Sequence, residues 1–180
     1  MKRRITALLL VTLAAISLIG CGKKENTVDS QPVAEATADA SSEKTEAYAF
    51  EVDGVLLTPD MDLDTVLDKL GEPVSTFESE SCAKQGMAYH YTFSNYEIET
   101  YPDGDTNRIY CISLTNDTVK TPEGIDLSNT KDDVIAAYGE PTDSTDTALI
   151  YKKDGSDSAL KFIFESDDTM VSIEYDSKEM

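Results

Sequence analysis

The stretch Val66-Leu67-Asp68-Lys69-Leu70-Gly71-Glu72-Pro73 decides the predicted fold, because a similar stretch follows 68 residues later as Val134-Ile135-Ala136-Ala137-Tyr138-Gly139-Glu140-Pro141. Each copy places apolar residues on one side of a short helix. The stripes are Leu63, Val66, Leu67 and Leu70 in the first copy and Val134, Ile135 and Tyr138 in the second. Asp62 and Thr130 occupy the capping positions, and Gly-Glu-Pro ends each helix because proline cannot continue it. The sequence therefore predicts two copies of one structural unit.

Short segments rich in aromatic and branched side chains follow each predicted helix. They are residues 88–93, 96–101 and 108–115 in the first copy and residues 148–152, 160–165 and 171–175 in the second. We therefore predict an α+β fold in which two tandem α-β-β-β repeats, residues 48–116 and 117–180, form one antiparallel sheet with the helices packed on one face. One such unit is too small to bury its apolar face well, so both repeats should share one core over residues 48–176.

The composition is strongly acidic. The chain has 180 residues, with 15 Lys and Arg against 35 Asp and Glu, and its formal net charge is −20. Such a charge repels phosphate backbones, so the sequence excludes nucleic acid as a partner. The length allows one domain, or two small repeats with one core, and excludes a large multidomain enzyme.

The amino-terminal residues have the layout of a secretory signal. Lys2, Arg3 and Arg4 precede an apolar run that ends at Ile19, which is shorter than the roughly 20 residues of a membrane-spanning helix. The next residues, Leu18-Ile19-Gly20-Cys21, resemble the lipobox of bacterial lipoproteins. That resemblance implies a signal peptide at residues 1–20 and a diacylglycerol thioether on Cys21. The alternative is an uncleaved transmembrane anchor in which Cys21 has no special role.

Residues 21–47 contain almost no large apolar side chains. Such a segment cannot bury enough surface to offset the entropy lost on ordering. We therefore expect a lipidated flexible tether. It would hold the domain at the cell membrane, on the extracytoplasmic side.

The repeats and the lipobox together resemble a group of small bacterial lipoproteins. The pattern is similar to the β-lactamase-inhibitor protein and to outer-membrane assembly lipoproteins of the BamE/SmpA type. Three further segments resemble uncharacterised surface lipoproteins of Gram-positive bacteria: residues 81–86, 99–104 and 121–125. The resemblance implies protein binding on the open face of a sheet. No residue of the inhibitor's binding surface is carried over, because that surface includes tryptophans and this chain has none.

The sequence offers little catalytic chemistry. His90 is the only histidine, which excludes a metal site built from several histidines, and the glycines do not form a phosphate-binding loop. Residues 103–107 are acidic but lack the spacing of an EF-hand loop. We therefore predict no enzyme, no cofactor and no metal site. Strand alternation places His90 and Tyr101 on the sheet face turned away from the helices, and they form the predicted binding face.

Two cysteines remain once Cys21 is assigned to the lipid. Cys82 and Cys111 form an even pair in a protein expected outside the cytoplasm. A disulfide between them would close a loop of about 30 residues and contribute roughly 3 kcal/mol. The alternative is two free thiols, and the sequence leaves both open.

The combined prediction is a noncatalytic, lipid-anchored binding or scaffolding module on the cell surface. Its partners would be the membrane, through the lipid on Cys21, and an envelope or extracellular protein. The alternative is a surface lipoprotein that binds a solute or calcium.

The lipid assignment predicts the behaviour of a single variant. Replacing Cys21 by Ser should release the protein into the medium or leave it unprocessed, because the thioether needs the sulfur atom. Membrane fractionation and intact mass measure the outcome. Unchanged attachment and unchanged mass would contradict the assignment.

Overall fold

The computed structural model describes residues 47–82 and 84–178. The predicted signal peptide, Cys21 and residues 21–46 of the predicted tether lie outside the described residues. Among the described residues, no helix combines the length and apolar character needed to cross a membrane.

A short hairpin precedes the main sheet. Strand β1 (Phe50–Val52) pairs antiparallel with β2 (Val55–Leu57). The turn between them is Asp53-Gly54, and both residues have positive φ, at 51° and 75°. This is the turn chemistry that favours two-residue hairpins. The hairpin places Phe50 and Leu57 in the core.

Eight strands form one antiparallel sheet. They are β3 (Ser75–Glu80), β4 (Met87–Thr92), β5 (Tyr96–Asp103), β6 (Thr106–Leu114), β7 (Asp143–Thr145), β8 (Ala148–Tyr151), β9 (Ala159–Phe164) and β10 (Met170–Asp176). Their order across the sheet is β3-β4-β5-β6-β10-β9-β8-β7. Each half is thus a meander of consecutive strands, and the two meanders meet where β6 pairs with β10.

The two segments predicted as helices differ in structure. Residues Lys131–Tyr138 form α1, whose first turn is closed by a capping box between Thr130 and Asp133. Leu63–Thr65 and Leu67–Lys69 instead form two successive 3-10 turns. The Thr65 hydroxyl donates to the Asp62 carbonyl at 2.7 Å, a local bond that competes with α-helical bonding. Branched Thr65 and Val66 also have lower helix propensity than the alanines in α1.

The predicted fold class, two tandem α-β-β-β repeats in one sheet with helices packed on one face, is wrong. The structure is mostly β: an eight-stranded antiparallel sheet, a separate two-stranded sheet and, within the described residues, one α-helix. Four strands follow each helical segment, because β3 and β7 were not predicted. Every residue of β3 and β7 is exposed, so neither strand carries the apolar alternation on which the prediction relied.

The core lies on one face of the large sheet. At the junction of the two meanders, Ile112 and Leu114 of β6 lie beside Ile173 and Tyr175 of β10, and all four are almost completely buried. The β1–β2 hairpin, the 3-10 turns and α1 contribute Phe50, Leu63 and Val134 to the same cluster. A single core therefore spans both halves.

The junction predicts a cooperative loss of stability. Ile173→Ala should lower the free energy of unfolding by about 2–5 kcal/mol, because a buried side chain is replaced by a cavity. Exposed Val171 on the same strand is the matched control, and Val171→Ala should cost less than about 1 kcal/mol. Denaturant unfolding followed at a probe in each half measures both effects. Separate transitions for the two halves would contradict a shared core.

Candidate functional site

The face of the sheet opposite the core carries two rows of side chains, all polar or ionisable except Ala159. Neighbouring strands place one row in the order His90, Glu99, Cys111, Asp176 and Ala159. The other row runs Thr92, Glu97, Ser113, Glu174 and Lys161. We call these two rows the open face, since the described hairpin and helical elements place their buried side chains in the core on the other side.

His90 lies between two carboxylates. Its Nε2 is 3.0 Å from Glu97 Oε2, and its Nδ1 is 3.3 Å from Glu99 Oε1. Glu97 and Glu99 project from the same side of β5 because they are two residues apart on a strand, and the β4–β5 pairing places Glu99 directly opposite His90. Both ring nitrogens are therefore engaged by acids.

Lys161 has the corresponding position in the second half of the sheet. Lys161 lies on β9 directly opposite Glu174 of β10, and its ammonium forms an ion pair with Asp176. Burial is the largest single influence on Lys161 and lowers its pKa, but the hydrogen bond to Asp176 and the negative charges of Asp176 and Glu174 together outweigh burial, so the pKa of Lys161 is raised. Burial also raises the pKa of the Glu174 carboxyl. Each half thus supplies one basic side chain beside two acids.

The centre of the open face is recessed and contains a thiol. Cys111 is only 7% exposed, and its Sγ lies 3.4 Å from Ser113 Oγ. Burial, with the charge of Asp176 as a second cause, raises the pKa of the Cys111 thiol. The thiol therefore stays protonated at neutral pH and is a poor nucleophile.

Cys111, Glu174 and Asp176 bring ligand atoms within 4.8 Å of one another, a spacing that could suit a metal ion. Asp176 already pairs with Lys161, and the raised pKa of the thiol opposes metal ligation. Calcium requires six to eight oxygen ligands, which a thiol and two carboxylates do not provide. The arrangement therefore favours an ion pair with Lys161.

Tyr101 is not the exposed anchor that the sequence predicted. It is 5% exposed, and its hydroxyl donates to Asp60 Oδ1 at 2.8 Å. The ammonium of Lys84 lies 4.5 Å from the centre of its ring. Burial and the Asp60 hydrogen bond both raise the pKa of Tyr101. The strand pattern did not reveal this burial, because Asp60 belongs to a loop 41 residues earlier in the chain.

In the acidic turn at residues 103–107, Asp103 forms ion pairs with two basic side chains. Arg108 Nε donates to Asp103 Oδ2 at 2.6 Å, and Lys84 Nζ lies 3.5 Å from the other oxygen. These contacts lower the pKa of Asp103. Asp103 thus has ion-pair partners within the protein, which weakens the calcium alternative.

Cys82 and Cys111 are both free thiols in the structure. Cys82 lies in the turn between β3 and β4 and is exposed, whereas Cys111 is buried on β6. The structure therefore places the two cysteines in different environments and does not join them.

The sequence pattern predicted His90 on this face but not Lys161, Glu174 or Asp176. Alternation along β10, with Ile173 and Tyr175 inward, was sufficient to put Glu174 and Asp176 on the outer face. It gave no signal that β10 pairs with β6, and that pairing brings these acids next to Cys111 and Ser113.

Comparisons with known proteins found no match: no family model, no curated protein and no solved structure is significantly similar to the chain.

The environments of the cysteines predict their reactivity. In the folded full chain, iodoacetamide should alkylate Cys82 and leave Cys111 unmodified, because Cys111 is buried and its thiol pKa is raised. Unfolding without reductant should expose Cys111 to the reagent. Peptide mapping by mass spectrometry locates the label. A disulfide would be revealed if neither residue reacted until a reductant was added.

Proposed function

We propose that this protein is a noncatalytic, lipid-anchored binding module. The lipid on Cys21 would hold it at the cell membrane facing the extracytoplasmic side. The open face would bind a basic surface of an envelope or extracellular protein.

The observation that carries this proposal is the open face itself. One side of the sheet holds the core, while the other carries polar and charged side chains, of which Glu99 is exposed, His90, Glu97, Glu174 and Lys161 are half-buried, and Asp176 is buried. Glu97 and Glu99 come from β5 and Glu174 and Asp176 from β10, so acids from both halves meet across the central strands. A rigid antiparallel sheet fixes the spacing of these carboxylates before a partner arrives, which lowers the entropy cost of binding.

Electrostatics favours a basic partner. The chain carries a net charge of −20, and on the open face the acids outnumber the basic side chains His90 and Lys161. An approaching basic surface would be attracted at long range and would replace His90 and Lys161 as partners of the acids. The association rate should therefore fall as salt is added.

The side chains of the open face support binding rather than catalysis. Both nitrogens of His90 face carboxylates, and Glu99 separates His90 from Cys111 in the row. The raised pKa of Cys111 disfavours a thiolate nucleophile. These features favour a surface that recognises charge over one that transfers a proton or an acyl group.

Capture of a partner tests the proposal. The full chain, immobilised in zwitterionic detergent, should retain a protein with a basic surface from envelope extracts, identified by mass spectrometry. The double variant Glu97→Lys/Glu99→Lys should reduce the captured amount about tenfold or more, because it reverses two charges on the open face. The thermal midpoint of each variant verifies that it is folded.

The matched control reverses two acids in exposed turns. Asp117→Lys/Asp154→Lys changes the net charge by the same amount but lies outside the sheet. Capture by this control should fall much less. Equal capture by both double variants would show that the open face is not the binding surface.

A further inference from the structure

We propose that the edge strand β3 accepts an extended segment of another protein, in which basic and apolar side chains alternate, as an additional strand of the sheet. This goes beyond the proposed function because it uses the backbone at the edge of the sheet rather than the side chains of the open face.

The free backbone groups of β3 follow from its pairing with β4. Within the described part of the chain, β3 ends one side of the sheet and has β4 as its neighbour. Ser81 N donates to Gly86 O at 2.9 Å, so Ser81 and, by alternation, Ser79, Phe77 and Ser75 direct their backbone groups toward β4. Thr76, Glu78 and Glu80 therefore direct their N–H and C=O groups outward.

These outward groups form a continuous template. Thr76 and Glu80 are four residues apart, a length of about 13 Å along a strand. An extended peptide laid against them could form a regular ladder of backbone hydrogen bonds, which is how strand addition gains affinity. Soluble proteins commonly protect such edges with charged side chains, above all lysine, or with proline or a bulge. The stretch Ser75-Thr76-Phe77-Glu78-Ser79-Glu80 contains neither lysine nor proline, and its register with β4 has no shift. Its two charges, on Glu78 and Glu80, repel an acidic strand but attract a basic one.

Exposed apolar side chains flank the template. Phe77 is 68% exposed on the open-face side of β3, opposite His90, and Val74 just before the strand is 72% exposed. A cavity of about 170 Å³ lies between Phe77, His90 and Glu99. Large exposed side chains beside an unpaired edge indicate a surface that another chain can cover.

The side chains of β3 specify the chemistry of the incoming segment. Glu78 and Glu80 project on one side of the strand and Phe77 on the other, because side chains alternate across a sheet. An added strand would place every second side chain beside the two glutamates and the others beside Phe77. Charge complementarity requires lysine or arginine at the first set, and contact with Phe77 favours apolar residues at the second.

A second copy of the chain is a poorer occupant of the same edge. Two β3 strands would bring four glutamates together in a pair of molecules that each carry a net charge of −20. The acidic edge thus disfavours self-pairing and favours a basic segment.

A synthetic peptide tests the inference directly. The probe is a fluorescein-labelled Lys-Val-Lys-Val-Lys-Val peptide with blocked ends, titrated into the full chain in zwitterionic detergent. We expect saturable binding by fluorescence anisotropy. We also expect slower hydrogen exchange at the amides of Thr76, Glu78 and Glu80, read residue by residue by NMR, because these amides become hydrogen-bonded.

Two substitutions at one position separate the backbone from the side chain. Thr76→Pro removes an outward N–H that the sheet does not use, so the fold should persist while the peptide binds about tenfold more weakly. Thr76→Val keeps the N–H and should bind like the parent. Glu78→Gln should weaken binding about threefold at low salt, because it removes one charge but no backbone donor.

A modified probe tests the same ladder without altering the protein. Two variants of the peptide are used, one with N-methyl groups on its valine amides and one with N-methyl groups on its lysine amides. Because the N–H groups of successive residues point to opposite edges of a strand, each variant has one edge that cannot donate hydrogen bonds. One of these two peptides should lose binding. This comparison remains decisive if Thr76→Pro is found to unfold the protein.

Three results would overturn the inference. The first is the absence of peptide binding. The second is binding that leaves the β3 amides unprotected and tolerates both N-methylated peptides, which would place the peptide on the open face and leave the proposed function standing. The third is amide protection at β3 that rises with protein concentration without peptide, which would identify a second copy as the occupant.

Discussion

The pairing of β6 with β10 is the interaction on which the rest of the structure depends. It joins two meanders into one sheet and brings Ile112 and Ile173 together in the core. Because side chains alternate along both strands, the same pairing sets Cys111 beside Asp176 and Ser113 beside Glu174 on the opposite face. The register of this one strand pair therefore determines both which side chains enter the core and which lie on the open face. A shift of one residue would bury these acids and expose the isoleucines.

The sequence predicted the elements that carry strong apolar patterns and failed on those that do not. The strand segments around Phe162 and Ile173 were recognisable because apolar side chains recur at every second position, and these positions are buried while most of those between them are half-buried. Strands β3 and β7 are exposed at every position, and their pairing depends on neighbours that a local pattern does not reveal. In the first helical segment Leu63 and Leu70 are buried as the apolar spacing predicts, but the backbone forms 3-10 turns instead of an α-helix. The Thr65 hydroxyl donates to the Asp62 carbonyl, and the spacing of apolar residues does not predict this local hydrogen bond.

The candidate site was predictable only where its contacts are local in the chain. His90 and Glu97 belong to consecutive strands seven residues apart, so a hairpin is enough to bring them together. Lys161 and Asp176 also belong to consecutive strands, but they are further apart in the chain, and the sequence analysis did not predict their contact. The pairing of β6 with β10 brings these two pairs into one acidic surface. The residues paired across it are about sixty positions apart in the chain, so a local pattern does not predict it. Tyr101 illustrates the same limit, because alternation indicates its side of the sheet but not the Asp60 loop that covers it.

The edge and the open face are continuous, and this continuity favours a partner that engages both. Phe77 of β3 lies opposite His90, and His90 lies opposite Glu99, so one row of side chains leads from the edge strand to the acids of β5. A strand added to β3 would lie about 4.8 Å beyond it, so a partner whose chain then turns onto the sheet would meet either the core side or the open face. The core already occupies one face, whereas the other carries four carboxylates beside only two basic side chains, His90 and Lys161. Backbone pairing at the edge would fix the register of such a partner, and charge on the open face would select which partner turns onto it.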